Sequence, residues 1–121
     1  MIYSSQKIYF KLLLHYMTPF ITLLDSKYED IGGRELLELL DNYKSKGYTP
    51  EYFDCDDFAW TFKGAASNEG FNSVGFVIGK YYKTWHSWNI ALVDDRFYQV
   101  EPQSRTYFIK RPEYKVVTII L

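Results

Sequence analysis

Apolar residues recur every three or four positions through the first half of the chain, and that spacing predicts helices. Ile8, Leu12 and Tyr16 mark one apolar face, and Leu36, Leu37, Leu40 and Tyr43 mark a second. The second helix is expected to follow Gly32 and Gly33, to carry Glu35 in its first turn, and to close at Lys44, Lys46 and Gly47, as dipole and C-cap preferences favour. Pro50 breaks the chain. A third helix is expected to start at Asp54, a favourable N-cap, with Cys55, Phe58, Ala59 and Phe62 on one face and Gly64 and Gly70 at its end. Past Gly70 the pattern changes to β-branched and aromatic runs at 73–82, 85–93, 96–101, 105–110 and 115–121, separated by Lys-Thr, Asp-Asp and Pro-containing breaks. These predict an antiparallel meander. Helices followed by strands, with no repeat and no linker, indicate an α+β fold in one domain over residues 1–121. The run "VVTIIL" at 116–121 is apolar on both faces apart from Thr118, so it is expected inside the sheet and not at an exposed edge.

Composition narrows the function classes. At 121 residues the chain is large enough for one ordinary core. Its 14 basic and 15 acidic residues give a net charge of −1, so no global field favours nucleic acid or an anionic membrane. The basic residues are scattered among acids, and no nucleic-acid motif frames them. The apolar stretch at 8–24 is interrupted by Lys11, His15 and Pro19 and is followed by no cleavage site, which reads as a core helix and makes the cytoplasm the expected location. One Cys excludes an internal disulfide framework and a Cys-based zinc cage.

That single thiol directs attention to Cys55, His86 and Glu101, which offer a nucleophile at a helix start, a base on a strand and a carboxylate on the next strand. A helix N-terminus and a nearby imidazolium both favour thiolate. Strand parity sharpens the expectation. If Asp94 and Asp95 form a two-residue turn, Val93 lies opposite Arg96, Trp88 opposite Glu101 and His86 opposite Gln103. His86 and Glu101 then share a face with Trp88 and Ile90, an apolar floor beside the imidazole. Taken singly, each residue has a plainer reading, because a lone Cys is most often an inert buried side chain. Asp54, Asp56 and Asp57 flank the thiol and oppose its ionisation. A hard cation would offset them, and Ca²⁺ held by Asp56, Asp57, Asn89 and Gln103 is the expected arrangement; the plainer reading is that the Asp residues cap the helix.

The segments "FDCDDFAW" at 53–60, "HSWNIAL" at 86–92 and "VEPQ" at 100–103 resemble the papain-like cysteine peptidase clan, in particular the C-terminal protease domain of fungal calcium-dependent agglutinins. The resemblance covers about half of the chain, residues 52–103. It implies a papain-like α+β fold, with Cys55 as nucleophile, His86 as base and Glu101 as orienting carboxylate. It also implies calcium at Asp56, Asp57 and Gln103, and it adds some weight to a homodimer, with monomer and homodimer both left open. Murein peptidases and transglutaminase-like members of the clan are similar more distantly. No Gln precedes Cys55 closely enough to donate to an oxyanion, which leaves the Cys55 N–H with Tyr52 or Trp60 as substitutes.

Two functions are therefore expected in competition. One is a cysteine hydrolase acting on a peptide or protein, or its transglutaminase-type variant passing the acyl group to an amine. The other is a non-catalytic protein-binding or inhibitory module on the same scaffold, for which the abundant tyrosines, 12 in all, are suited. The visible candidates are Tyr28, Tyr43, Tyr48, Tyr52, Tyr81, Tyr82 and Tyr107, most of them expected in the core.

Overall fold

The structure is a computed structural model that describes residues 1–121. In chain order its elements are β1 (Ile2–Ser4), α1 (Ser5–Tyr16), β2 (Ile21–Thr22), β3 (Lys27–Glu29), α2 (Gly33–Asn42), α3 (Cys55–Asn68), β4 (Val74–Tyr81), β5 (Thr84–Val93), β6 (Arg96–Glu101), β7 (Thr106–Phe108) and β8 (Tyr114–Ile120). The α+β class and the three helices follow the apolar spacing. The short strands β1, β2 and β3 carry too few residues to show a period, and sequence reading missed them.

Local chemistry explains the helix starts better than the helix ends. Ser4 accepts from the Lys7 N–H at 3.2 Å and starts α1. At α3 the Asp54 side chain accepts from the Asp57 N–H while Asp57 accepts from the Asp54 N–H, a reciprocal capping box. Helix α2 does not close at Lys44, Lys46 and Gly47. It ends at Asn42, where Tyr43 turns to extended backbone, and Arg105 from the β6–β7 loop donates to the carbonyls of Leu40 at 2.6 Å and Tyr43 at 3.1 Å. Gly64 lies inside α3, and the chain turns at Gly70, whose φ of 88° suits glycine.

Six strands form one sheet in the order β2-β8-β4-β5-β6-β7. The meander expected for the second half is broken at its end, because β8 pairs with β4 instead of β7 and takes β2 as a parallel neighbour on its other side. Strands buried on both faces belong in the middle of a sheet, and the apolar run of β8 is satisfied there. Alternation along β5 divides the core in two. Trp88, Ile90 and Leu92 pack with Ile8 and Leu12 of α1 and with Tyr3 and Tyr28 of the small β1–β3 sheet. Ala91 and Val93 face the other way, toward Leu36 and Leu40 of α2 and Phe62 and Ala66 of α3.

Candidate functional site

The β5–β6 hairpin places the expected base and its carboxylate. Asp94 and Asp95 both have positive φ, 48° and 67°, the geometry of a two-residue type I′ turn. Val93 pairs with Arg96 and Asn89 with Val100, so the register is the one that strand parity requires. His86 Nε2 and Glu101 Oε1 form a short hydrogen bond. Glu101 is buried, and it also accepts from the Tyr114 hydroxyl at 3.3 Å and from the Gln103 N–H at 3.3 Å. Trp88 stacks on the imidazole at 5.6 Å with 22° between the rings, and Tyr81 flanks it at 5.7 Å. Burial first, and then the Glu101 carboxylate, push the Tyr114 hydroxyl well above the usual tyrosine range.

Cys55 opens α3 and is half-buried. Burial is the main influence on its thiol and pushes it up; the Asp54 and Asp56 carboxylates add to that, while hydrogen bonds from the Ser87 and Asp56 N–H groups pull it down. The balance keeps the thiol protonated at neutral pH. Cys55 meets β5 at Ser87, whose side chain alternates to the face that α3 covers, whereas His86 shares the other face with Trp88. No hydrogen bond joins Cys55 to His86; the imidazole's bond goes to Glu101. Neither of the two main clefts, of about 640 and 680 Å³, is lined by Cys55 or His86.

Two of the four residues expected around a cation fall in one acidic group. Asp56 and Asp57 lie with Asp54 in a group whose carboxylate oxygens are within 4.8 Å of one another. Their crowding is visible at Asp54, whose carboxyl is pushed up first by its hydrogen bond with Asp56. Asn89 is fully buried, and its amide donates to the carbonyls of Ala59 at 2.9 Å and Gly75 at 3.0 Å, tying α3 to the sheet. Gln103 is exposed after β6.

The tyrosines depart from expectation too. Tyr28 and Tyr43 are buried, but Tyr48, Tyr52, Tyr81, Tyr82 and Tyr107 are exposed. Of the two substitute oxyanion donors, Tyr52 is 85% exposed, and Trp60 lies flat on Phe76 with ring centroids 3.9 Å apart. The β4–β5 turn carries a rim of exposed aromatics, Tyr81, Tyr82 and Trp85, with the Lys80 ammonium over the Trp85 ring at 4.0 Å. Tyr81 and Tyr82 are among the tyrosines that the sequence offers as interface candidates, and Trp85 is not. The rim's signal was present in the aromatics on either side of the Lys-Thr break, which a two-residue turn leaves in solvent.

No protein-family model and no curated protein matches the sequence. Solved structures match over 99% of the chain. A PSL1a–E64 complex does so at TM-score 0.82 and 23% identity, with 51% of its own chain covered. The Polyporus squamosus lectin bound to the human-type influenza-binding epitope Neu5Acα2-6Galβ1-4GlcNAc does so at TM-score 0.81 and 22% identity, with 49% of its own chain covered. The likeness is one of fold, and the chain spans about half the length of these structures. Both are structures of a lectin. The papain-like assignment, the Cys55-His86-Glu101 hydrolase, its transglutaminase variant and the peptide substrate are corrected on that finding. Burial pushes the Cys55 thiol up, and the imidazole's hydrogen bond goes to Glu101. No helix is long and apolar enough to cross a membrane.

Proposed function

We propose that this chain is a non-catalytic binding module whose recognition surface is the aromatic rim of the β4–β5 turn, and that its ligand is a saccharide. The observation that carries this reading is the group of exposed aromatics at the β4–β5 turn, with Tyr81 and Tyr82 on the side of the His86–Glu101–Tyr114 network and Trp85 on the opposite face under Lys80. A sugar ring offers C–H faces that stack on aromatic rings and hydroxyls that exchange hydrogen bonds, and an aromatic surface beside buried polar groups meets both needs. Exposed aromatics gathered in one patch mark a binding surface more often than scattered ones do. The lectin that shares the fold is bound to a sialylated trisaccharide, which supports saccharides as the first class to test.

The test is a glycan panel, including that trisaccharide, followed by tryptophan fluorescence and amide NMR. The expected result is saturable perturbation at Tyr82 and Trp85, with Trp85→Ala weakening affinity about tenfold, the loss of one stacking contact of about 1.4 kcal/mol. A panel that leaves both residues unperturbed would overturn the proposal.

Calcium belongs to the proposal as a structural ion. The Asp54, Asp56 and Asp57 oxygens are hard donors, and a cation would relieve the crowding that pushes Asp54 up. Added Ca²⁺ should raise the melting temperature of the wild type and leave that of Asp56→Asn unchanged; equal response in both would remove the ion from this site.

A further inference from the structure

A cleft of about 680 Å³ opens between the second half of α1, the β5–β6 turn and the segment after β7, well removed in the chain from the aromatic rim. Its apolar walls are Leu14 and Ile109 over buried Phe97, and its polar margin is Lys11, His15, Asp95 and Arg96. Leu14 is 74% exposed and Ile109 37%, so this wall holds apolar surface that nothing in the fold covers. Its size falls in the range of small-molecule sites.

The charges are uneven. Lys11 is paired with Asp95 at 3.3 Å. Arg96 has no ion-pair or side-chain hydrogen-bond partner, and neither does Lys110, which lies near enough to act on His15. Burial, followed by repulsion from Lys11, Lys110 and Arg96, lowers the His15 imidazole, so it is neutral at physiological pH. Arg96 at the margin and Lys110 just outside the lining are therefore unpaired cations. Opposing them are Asp94 in the adjacent turn and the negative end of the α1 dipole, equivalent to roughly half an elementary charge. That balance suits an anion carrying one negative charge and disfavours a dianion. A guanidinium matches a carboxylate through its planar fork.

We infer that this cleft binds a small organic monocarboxylate, with Arg96 taking the carboxylate and the exposed Leu14 and Ile109 taking a short apolar body over a floor at buried Phe97. The site stands independently of the saccharide proposal, because it shares no residue with the rim.

Phenylpropionate is the probe, with the neutral phenylpropanamide and inorganic phosphate as controls, read by amide NMR on the wild type and Arg96→Gln. The expected result is saturable shifts at Leu14, Phe97 and Ile109, about tenfold weaker affinity for the amide, and a similar loss in Arg96→Gln with its remaining spectrum unchanged. Arg96→Lys should fall between the two. Absence of saturable shifts, equal binding of acid and amide, or phosphate binding as tightly as the carboxylate would each overturn the inference. So would shifts confined to Tyr82 and Trp85, which would place the probe on the rim.

Discussion

A thiol at a helix N-terminus gains from the dipole, yet Cys55 stays protonated because burial and two carboxylates outweigh that gain. Linkage turns this into a stability prediction. In the unfolded chain the thiol ionises near about pH 8.5, and in the folded protein it ionises higher. Between those values the unfolded state binds fewer protons, so stability falls as pH rises through that window. Urea denaturation of wild type and Cys55→Ala should therefore keep a constant difference at neutral pH and diverge above about pH 8.5, with wild type losing more. Iodoacetamide labelling at neutral pH should be slow and equally slow in His86→Ala. Fast labelling in mild acid, abolished by His86→Ala, would overturn the non-catalytic reading. The His86–Glu101 contact was legible in the sequence because strand parity is set by a two-residue turn. The separate fate of Cys55 was not, because parity says nothing about which side of the sheet a helix covers. Asn89 shows the same limit: only the packing of α3 reveals that its Nδ2 donates to Ala59 and Gly75 while its Oδ1 is left buried without a partner.

Helices were readable at their starts and not always at their ends, and α2 shows why. Its apolar face is regular, with Leu36, Leu39 and Leu40 buried, but its C-terminal carbonyls are satisfied by Arg105, more than 60 positions away in the chain. The guanidinium also lies over the Tyr43 ring at 4.3 Å. Local sequence pointed instead to Lys44 and Lys46. The two assignments predict different mutants. Arg105→Gln should lower stability by about 1 kcal/mol, the modest end for charge-assisted bonds because the side chain is partly exposed. Lys44→Gln should change it by less than about 0.5 kcal/mol. Thermal melts of the two variants decide between them, and a larger loss in Lys44→Gln would return the cap to the local lysines.

At the scale of the whole molecule, one strand out of chain order holds the layers together. An apolar terminal run was expected in the interior, and β8 lies there between β2 and β4, but the leap past β7 depends on which strand edge is left open, a long-range matter that periodicity does not encode. The consequence is that the last three residues tie distant parts of the chain. The Leu121 carbonyl accepts from the Leu24 N–H at 2.8 Å and from the Tyr28 hydroxyl at 2.9 Å, and the Leu121 N–H donates to Thr22 at 2.9 Å. Ile119 and Leu121 are both buried in the core on the α1 side. Truncating one such side chain to Ala costs about 2–5 kcal/mol, against a total stability of about 5–15 kcal/mol for a domain. Leu121→Ala alone should therefore lower the melting temperature and keep a cooperative transition. A chain ending at Thr118 loses both side chains together with the backbone bonds to Thr22, Leu24 and Phe20, so it should show no cooperative unfolding by circular dichroism. A truncated chain that melts cooperatively near the wild-type midpoint would mean that β8 is not the strand on which the two faces of the sheet depend.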